Sequence, residues 1–175
     1  MAKTQLTDLL NRPIKDLRIS VTDKCNFRCT YCMPKEIFGN NFKFLERRNL
    51  LSFDEITRLS EIFQSLGVNK IRITGGEPLL RKEIEILIQK LNTKSFDDIT
   101  LTTNATLLKK KAKLLKDSGL KRITVSLDSL DDAIFTSMND VDFPVKRVLE
   151  GIEEADKIGL NPIKVNMVVK KGFNE

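Results

Sequence analysis

Residues Ser65–Thr74, "SLGVNKIRIT", contain the pattern that predicts the fold class most directly. A segment with helical apolar spacing ends there at a glycine, and a run rich in Ile and Val follows at once. The same order returns in "DSGLKRITVS" (117–126) and "KIGLNPIKVN" (157–166). Glycine after a periodic segment is typical of a helix C-terminus, and a β-branched run indicates a buried strand. The three copies predict helices and parallel strands in alternation.

Five strands are predicted in all, and helices with apolar stripes separate them. The predicted strands are Arg18–Thr22, Lys70–Thr74, Asp98–Thr103, Lys121–Leu127 and Ile163–Val169. The helix before the second strand is well marked, since Ser52 and Glu55 form an S-x-x-E capping box. This order predicts an α/β fold, a parallel array with right-handed crossovers.

Polar loops follow four of these strands. A cysteine-bearing loop follows the first, and "TGGEP", "TTN" and "SLDS" follow the next three. The carboxyl ends of parallel strands carry the sites of α/β barrels and open sheets, so these loops are expected to converge. Five strands leave a long unpaired edge, which favours a partial TIM-type (β/α) barrel cut from a longer protein. The alternative is a complete five-stranded open sheet.

The composition is that of a soluble globular protein, with 41% hydrophobic and 31% charged residues. The absence of an 18-residue apolar run and of a signal-peptide pattern disfavours a membrane span and secretion. The clustered, odd set of cysteines disfavours a disulfide framework and favours a reducing cytosol. The net charge of +6 favours an anionic partner such as a nucleotide, although solubility alone would also explain it. Since the chain has no histidine, any chemistry must use other side chains or a cofactor.

All three cysteines lie in "SVTDKCNFRCTYCMP" (Ser20–Pro34), at Cys25, Cys29 and Cys32. Iron–sulfur clusters are held by thiolates, and a cubane held by three of them leaves one iron open for a ligand. Structural zinc prefers four ligands, and this chain has neither a fourth cysteine nor a histidine. A redox dithiol formed by two of the cysteines would leave Cys25 without a role. Three buried, inert cysteines are also a poor explanation, because the cysteines are closely spaced among polar residues. The loop therefore favours a cluster with one open iron.

The other strand ends carry glycine, carboxylate and hydroxyl groups. Gly75 and Gly76 would let the backbone approach a ligand closely, and Glu77 adds a carboxylate. A tight turn and a helix N-terminal charge are the alternatives for these residues. Hydroxyls and acceptors suited to ribose or phosphate occur at Thr102, Thr103, Asn104, Ser126 and Asp128. Each of them could instead cap a following helix.

Basic residues lie within or beside the strands, where they rarely serve a core. They are Arg18, Lys70, Arg72 and Lys164. Arg72 and Lys164 are the best placed of them for a polyphosphate, through charge-assisted hydrogen bonds. Tyr31, the only tyrosine, either stacks on a base or packs on the loop.

The C-x3-C-x2-C loop, with an aromatic residue before its last cysteine, and "GGEP" after the second strand resemble the radical S-adenosylmethionine superfamily. More narrowly, several segments resemble the molybdenum-cofactor biosynthesis protein A family, the GTP 3′,8-cyclases. These segments are "RPIKDLRISVTDKCNFRCTYCMP", "FLERRNLLSFDEI", "KIRITGGEPLLR", "LTTNATLL" and "RITVSLDSL". The resemblance runs from about Asn11 to Gly172. Residues 1–175 would accordingly be a radical S-adenosylmethionine core domain, truncated at its C-terminus.

The resemblance implies roles for the matching residues. Cys25, Cys29 and Cys32 would hold a [4Fe–4S] cluster whose open iron binds S-adenosylmethionine. Contacts with S-adenosylmethionine are implied for Tyr31, Gly76, Glu77 and Ser126, and contacts with GTP for Arg18, Arg72, Thr102 and Lys164. Reductive cleavage of S-adenosylmethionine would give a 5′-deoxyadenosyl radical that removes the ribose 3′ hydrogen of GTP, after which the sugar attacks carbon 8 of guanine. No side chain is expected to be catalytic in itself, because the cofactors carry the chemistry.

The sequence departs from the family pattern in two places. The family usually has glycine where this chain has Ala105, and alanine would strain that turn if its φ is positive. Full-length members also complete a six-stranded partial barrel and bind a second [4Fe–4S] cluster through three further cysteines. This sequence contains no such cysteines.

Four hypotheses follow. The leading one is the N-terminal portion of a GTP 3′,8-cyclase, a lyase of molybdopterin synthesis. The others are a different radical S-adenosylmethionine enzyme such as a peptide-modifying maturase, a truncated form that binds cluster or cofactor without catalysis, and, least favoured, a zinc domain. Expected partners are GTP, S-adenosylmethionine, an external electron donor, a downstream enzyme that forms the cyclic pyranopterin, and a second copy in a homodimer. Neither nucleic acid nor membrane is expected as a partner.

Overall fold

The computed structural model describes residues 6–175, so the first five residues of the predicted 1–175 domain lie outside it. Its centre is a five-stranded sheet in the order β1-β2-β3-β4-β5, and all four neighbouring pairs are parallel. The strands are β1 (Asp16–Ser20), β2 (Lys70–Thr74), β3 (Asp98–Thr103), β4 (Arg122–Ser126) and β5 (Ile163–Asn166). β1 and β5 lie at opposite edges, so the sheet is open. The predicted α/β class, with parallel strands in an unclosed array, is confirmed.

Helices connect the strands in the predicted alternation. They are α1 (Lys35–Phe38), α2 (Phe53–Ser65), α3 (Ile84–Asn92), α4 (Leu108–Asp117), α5 (Asp132–Asn139) and α6 (Val145–Lys157). The capping box predicted for α2 is present, because Ser52 Oγ accepts from Glu55 N while the Glu55 carboxylate accepts from Ser52 N. Within residues 6–175, every helix is too short or too polar to cross a bilayer.

Several element boundaries differ from the prediction. Thr22, Leu127 and Val169 were expected inside strands, but the ladders end before each of them. The last case has a clear cause, since within residues 6–175 β5 has only one neighbouring strand, and Val168 N donates to the Asp128 carboxylate instead of continuing a ladder. Between β2 and α3, Pro78 starts a short 3₁₀ turn, Pro78–Leu80.

The two faces of the sheet have opposite chemistry. One face packs against the helices through side chains that are at most 1% exposed, namely Ile71, Ile73, Ile99, Leu101, Ile123 and Val125. Alternation along each strand sends the polar residues to the other face. A fully buried parallel sheet would be apolar on both faces. The polar face is therefore the face that a ligand can use.

Two ion pairs lie at the amino end of this polar face. Arg122 forms a bidentate pair with Asp98, and its guanidinium holds the pKa of the Asp98 carboxyl below its usual range. Arg72 Nε lies 3.1 Å from Asp16 Oδ1. The bidentate Arg122–Asp98 pair fixes geometry as well as charge, whereas Arg72 and Asp16 share a single contact between partly exposed side chains.

Candidate functional site

The cysteine loop lies between β1 and α1 and rests on the C-terminus of α5. Arg28 N donates to Asn139 O at 2.9 Å, and Thr30 N donates to Met138 O at 3.0 Å. These two backbone bonds flank Cys29 on either side. The middle of the loop is therefore held by a helix that is distant in sequence.

Arg28 fastens the loop from within. Its guanidinium donates to the carbonyl oxygens of Cys25, Phe27 and Phe38 at 2.7, 2.8 and 2.7 Å. It also lies 5.5 Å from the centre of the Phe44 ring, within the range of a cation–π contact. A single lysine ammonium lacks the planar set of donors that this arrangement uses.

A cavity of about 490 Å³ opens at the carboxyl ends of the strands, and all three cysteines line it. Ligand pockets in proteins commonly range from about 300 to 1,000 Å³. The cavity wall also contains six of the eight residues for which the resemblance implies contacts with S-adenosylmethionine or GTP. These are Arg18, Tyr31, Gly76, Glu77, Thr102 and Ser126. The predicted convergence of the loops is therefore present in the structure.

The three thiols are unpaired, with Cys25 and Cys29 partly buried and Cys32 exposed. Burial raises the pKa of Cys29 to about 12, and burial also raises the pKa of Cys25. Residues 6–175 contain no group of three His, Cys, Asp or Glu side chains preassembled around a single metal ion. Cysteine binds metal as the thiolate. Binding of a metal group at these thiols must therefore release their protons. Three soft ligands facing one shared cavity fit a multi-iron cluster in their chemistry.

The glycine pair explains why the second loop comes so close to the first. Gly76 N donates to Thr22 O at 2.7 Å, and Glu77 N donates to Lys24 O at 2.8 Å. A Cβ on Gly75 would lie 2.6 Å from Thr22 O, well inside van der Waals contact. Both glycines were expected to let the backbone approach a ligand. The structure shows that they also let it approach the start of the cysteine loop.

Glu77 is 1% exposed and joins two loops. Its Oε1 accepts from Leu79 N at 2.9 Å and from Thr103 Oγ1 at 2.7 Å, while Oε2 accepts from Asn104 N at 2.7 Å. Burial raises the pKa of the Glu77 carboxyl, and these hydrogen bonds act in the opposite direction. The carboxylate lines the cavity but already has three protein donors.

The Tyr31 side chain is hydrogen-bonded to the loop that follows β4. Its hydroxyl donates to Asp128 Oδ2 at 2.6 Å, and Val168 N donates to Asp128 Oδ1 at 2.9 Å. Burial and the bond with Asp128 raise the pKa of the Tyr31 hydroxyl. Asp128, which was expected to meet ribose or phosphate or to cap a helix, thus connects the cysteine loop with the segment after β5.

The four predicted GTP contacts share the polar face of the sheet. The parallel register pairs Arg18 with Arg72, and it places Thr102 and Lys164 on either side of Thr124. Arg18 and Thr102 reach the cavity wall. Arg72, expected to be among the best placed for a polyphosphate, is paired with Asp16, and Lys164 lies exposed on the edge strand β5.

Ala105 has a φ of 62° and is 1% exposed. The condition under which alanine would strain this turn, a positive φ, is therefore met. Thr103 Oγ1 accepts from Ala105 N at 3.0 Å, which holds the turn in this shape.

Replacing Ala105 with glycine should stabilise the protein. The left-handed conformation costs a residue with a Cβ roughly 1–2 kcal/mol, and loss of the buried Ala105 methyl offsets about 0.8 kcal/mol of the gain from its relief. We therefore expect Ala105→Gly to raise the free energy of unfolding by about 0.5–1 kcal/mol in urea titrations. The matched control is Ala112→Gly, a buried alanine inside α4. That change should lower the free energy by about 1–2 kcal/mol, through helix propensity and the lost methyl group. A lower stability of Ala105→Gly would contradict the assigned strain.

The sequence analysis missed Arg28 and Asn139, the residues that hold the cysteine loop. Arg28 was visible within the motif, but its carbonyl partners were not. Asn139 ends a helix that was not predicted, although Asp131 is a suitable N-cap and its carboxylate accepts from Ile134 N. Ile134, Phe135 and Met138 then follow at helical spacing, which is a signal that could have found α5.

The family comparison agrees with this arrangement of three thiols beside a glycine–glutamate loop. The model of the radical SAM superfamily matches residues 19–175. The chain belongs to the radical SAM superfamily. The matched residues begin in β1 and run to residue 175, so they include all the loops that line the cavity.

Among curated proteins, the chain is similar to the GTP 3′,8-cyclases of several Staphylococcus aureus strains. Two of them are 55% identical to it over 172 residues, which cover 98% of this chain and 50% of each relative. The chain therefore spans about half the length of the curated relatives that it matches.

Solved structures share the fold of this radical SAM chain at low identity. Streptococcus suis SuiB bound to the precursor peptide SuiA aligns with a TM-score of 0.74 and 24% identity, covering 90% of this chain and 34% of SuiB. Methylornithine synthase aligns with a TM-score of 0.69 and 13% identity, covering 91% of this chain and 46% of that enzyme. Both likenesses support the open parallel α/β architecture.

Proposed function

We propose that this chain is the N-terminal part of a GTP 3′,8-cyclase of molybdenum cofactor biosynthesis. The observation that carries the proposal is the placement of the cysteine cavity beside one polar sheet face with Arg18, Arg72, Thr102 and Lys164. The 55% identity to Staphylococcus aureus proteins named GTP 3′,8-cyclase supplies the reaction. The reaction would be a lyase-type cyclisation of GTP that begins with S-adenosylmethionine.

The three cysteines would hold a [4Fe–4S] cluster at the cavity. When bound, the cluster supplies one electron to S-adenosylmethionine and so starts radical chemistry. Tyr31, Gly76 and Ser126 line the same cavity and would contact S-adenosylmethionine. Glu77 would also contact S-adenosylmethionine in this cavity. Its hydrogen bonds from three protein donors already fix the orientation of its carboxylate.

The polar sheet face would bind GTP. Arg18, Arg72 and Lys164 carry positive charge for the triphosphate, and charge-assisted bonds to phosphate are among the strong ones. Thr102 would add a hydroxyl at the cavity wall. To reach a phosphate, Arg72 must leave its contact with Asp16. An exposed ion pair of this kind contributes at most about 1 kcal/mol to stability, so breaking it costs little.

The remaining parts of the activity would come from outside residues 6–175. We propose that the relatives' additional length supplies a sixth strand beside β5 and the second cluster. An external electron donor, a downstream enzyme that forms the cyclic pyranopterin, and a homodimer in the cytosol belong to the same proposal.

Anaerobic reconstitution with iron and sulfide is the first test. The chain should bind about four irons, and retention of zinc without iron would reject the cluster. Incubation with S-adenosylmethionine, GTP and dithionite then separates the hypotheses by mass spectrometry of the products. Cyclised GTP would support the full activity. Formation of 5′-deoxyadenosine alone would favour the truncated form, and its dependence on an added peptide would favour a peptide-modifying enzyme.

A further inference from the structure

The side chain of Asn139 has an amide nitrogen without an acceptor. Asn139 is 1% exposed at the end of α5, and its Nδ2 is buried and has no hydrogen-bond partner within the described part of the chain. A buried donor without an acceptor costs about 1–3 kcal/mol. Such a group in a native structure calls for an explanation, and a water, an ion or a redox group at the site are the usual ones.

The orientation of this amide is fixed. Val141 N donates to Asn139 Oδ1 at 2.9 Å. A backbone N–H can only donate, so the oxygen must face Val141, and the nitrogen is the end left over. An exchange of the two amide atoms would put two donors against each other and is excluded.

Asn139 lies beside the middle cysteine. Its carbonyl oxygen accepts from Arg28 N at 2.9 Å, and the preceding carbonyl, of Met138, accepts from Thr30 N. Both bonds flank Cys29, and Asn139 lines the same cavity as the three thiols. The unpaired nitrogen thus belongs to a residue whose backbone is hydrogen-bonded to the residue next to Cys29.

We infer that Asn139 Nδ2 donates a hydrogen bond to sulfur of the cluster on its Cys29 side, and so raises the cluster's reduction potential. The inference rests on the proposed cluster and deepens it by naming a residue outside the cysteine motif. A hydrogen bond to sulfur stabilises the reduced cluster, which is the more negative form, more than the oxidised cluster. Asn139 is a positioning and tuning residue, since it acts through the cluster and not on the substrate.

Redox titration of the reconstituted chain, followed by electron paramagnetic resonance of the reduced cluster, tests this inference. Asn139→Asp keeps the oxygen that faces Val141 and replaces the donor by an acceptor. Asn139→Ser removes the amide without adding charge, and its shorter hydroxyl can still accept from Val141 N. Both variants should load as much iron as the unaltered chain and shift the midpoint potential to more negative values.

The exposed Asn92 at the end of α3 provides the control, because it lies outside the cavity lining. Asn92→Asp and Asn92→Ser should leave the midpoint potential unchanged. An unchanged midpoint in fully loaded Asn139→Ser would overturn the inference, and so would a shift confined to Asn139→Asp, since charge would then be the cause. A lower melting temperature of the apo protein with an unchanged midpoint would assign Asn139 a purely structural role. Failure of the unaltered chain to bind a cluster would instead reject the proposed function, and this inference with it.

Discussion

Replacing any one of the three cysteines with serine should remove nearly all bound iron. After anaerobic reconstitution, Cys25→Ser, Cys29→Ser and Cys32→Ser should each retain less than about one tenth of the iron held by the unaltered chain, which itself should hold about four atoms. The chain offers no fourth cysteine and no histidine as a substitute ligand. A serine hydroxyl is a hard ligand that stays protonated near neutral pH, whereas iron–sulfur clusters require thiolates.

The apo protein separates loss of the site from loss of the fold. None of the cysteines belongs to the fully buried core, so each variant should change the free energy of unfolding by less than about 1 kcal/mol. Met33→Leu provides the control, because it removes the sulfur next to the motif while conserving volume. That variant should load iron normally. Full iron and an unchanged absorption spectrum in any one of the serine variants would show that the cysteine concerned is not a ligand.

The sequence predicted the layers of the fold because their signals are local. Each helix of the repeated pattern is followed by a glycine with a positive φ, and a strand begins a few residues later. These glycines are Gly67, Gly119 and Gly159. Local conformation and tertiary position agree at these points, and such agreement makes an element predictable. The end of β5 was not predictable in the same way. Val168 N leaves the ladder for the Asp128 carboxylate, a partner 40 residues away.

The candidate site was predictable in its residue types but not in its connections. Spacing alone marked the cysteines as candidate ligands, and strand order alone predicted that the loops converge. The attachment of the cysteine loop to Asn139, and the three carbonyl contacts of Arg28, depend on packing between distant segments. Register likewise put Arg18 and Arg72 side by side on one face. It could not show that Asp16 holds one of them while the other lines the cavity.

Glu77→Gln should destabilise the protein before any ligand is added. Two loops at the cavity depend on this carboxylate, which accepts from Leu79 N, Thr103 Oγ1 and Asn104 N. Glutamine presents an NH2 group in place of one oxygen, so at least one buried donor faces another donor. Loss of such a bond costs about 1–3 kcal/mol, and we expect the free energy of unfolding of the apo chain to fall by about 2 kcal/mol. In a chain of this size, the melting temperature should fall by about 4–8 °C.

A purely ligand-directed Glu77 would behave in the opposite way. A buried carboxylate kept only for a cofactor is a burden to the apo protein, so its neutralisation would leave stability unchanged or increase it. Glu61→Gln is the matched control, because Glu61 is exposed and pairs with Lys94 on the surface. It should change stability by less than about 0.5 kcal/mol. A destabilised Glu77→Gln that still binds iron would show that the carboxylate joins the "TGGEP" and "TTN" loops. An apo protein of unchanged stability that no longer binds S-adenosylmethionine would assign the carboxylate to the cofactor.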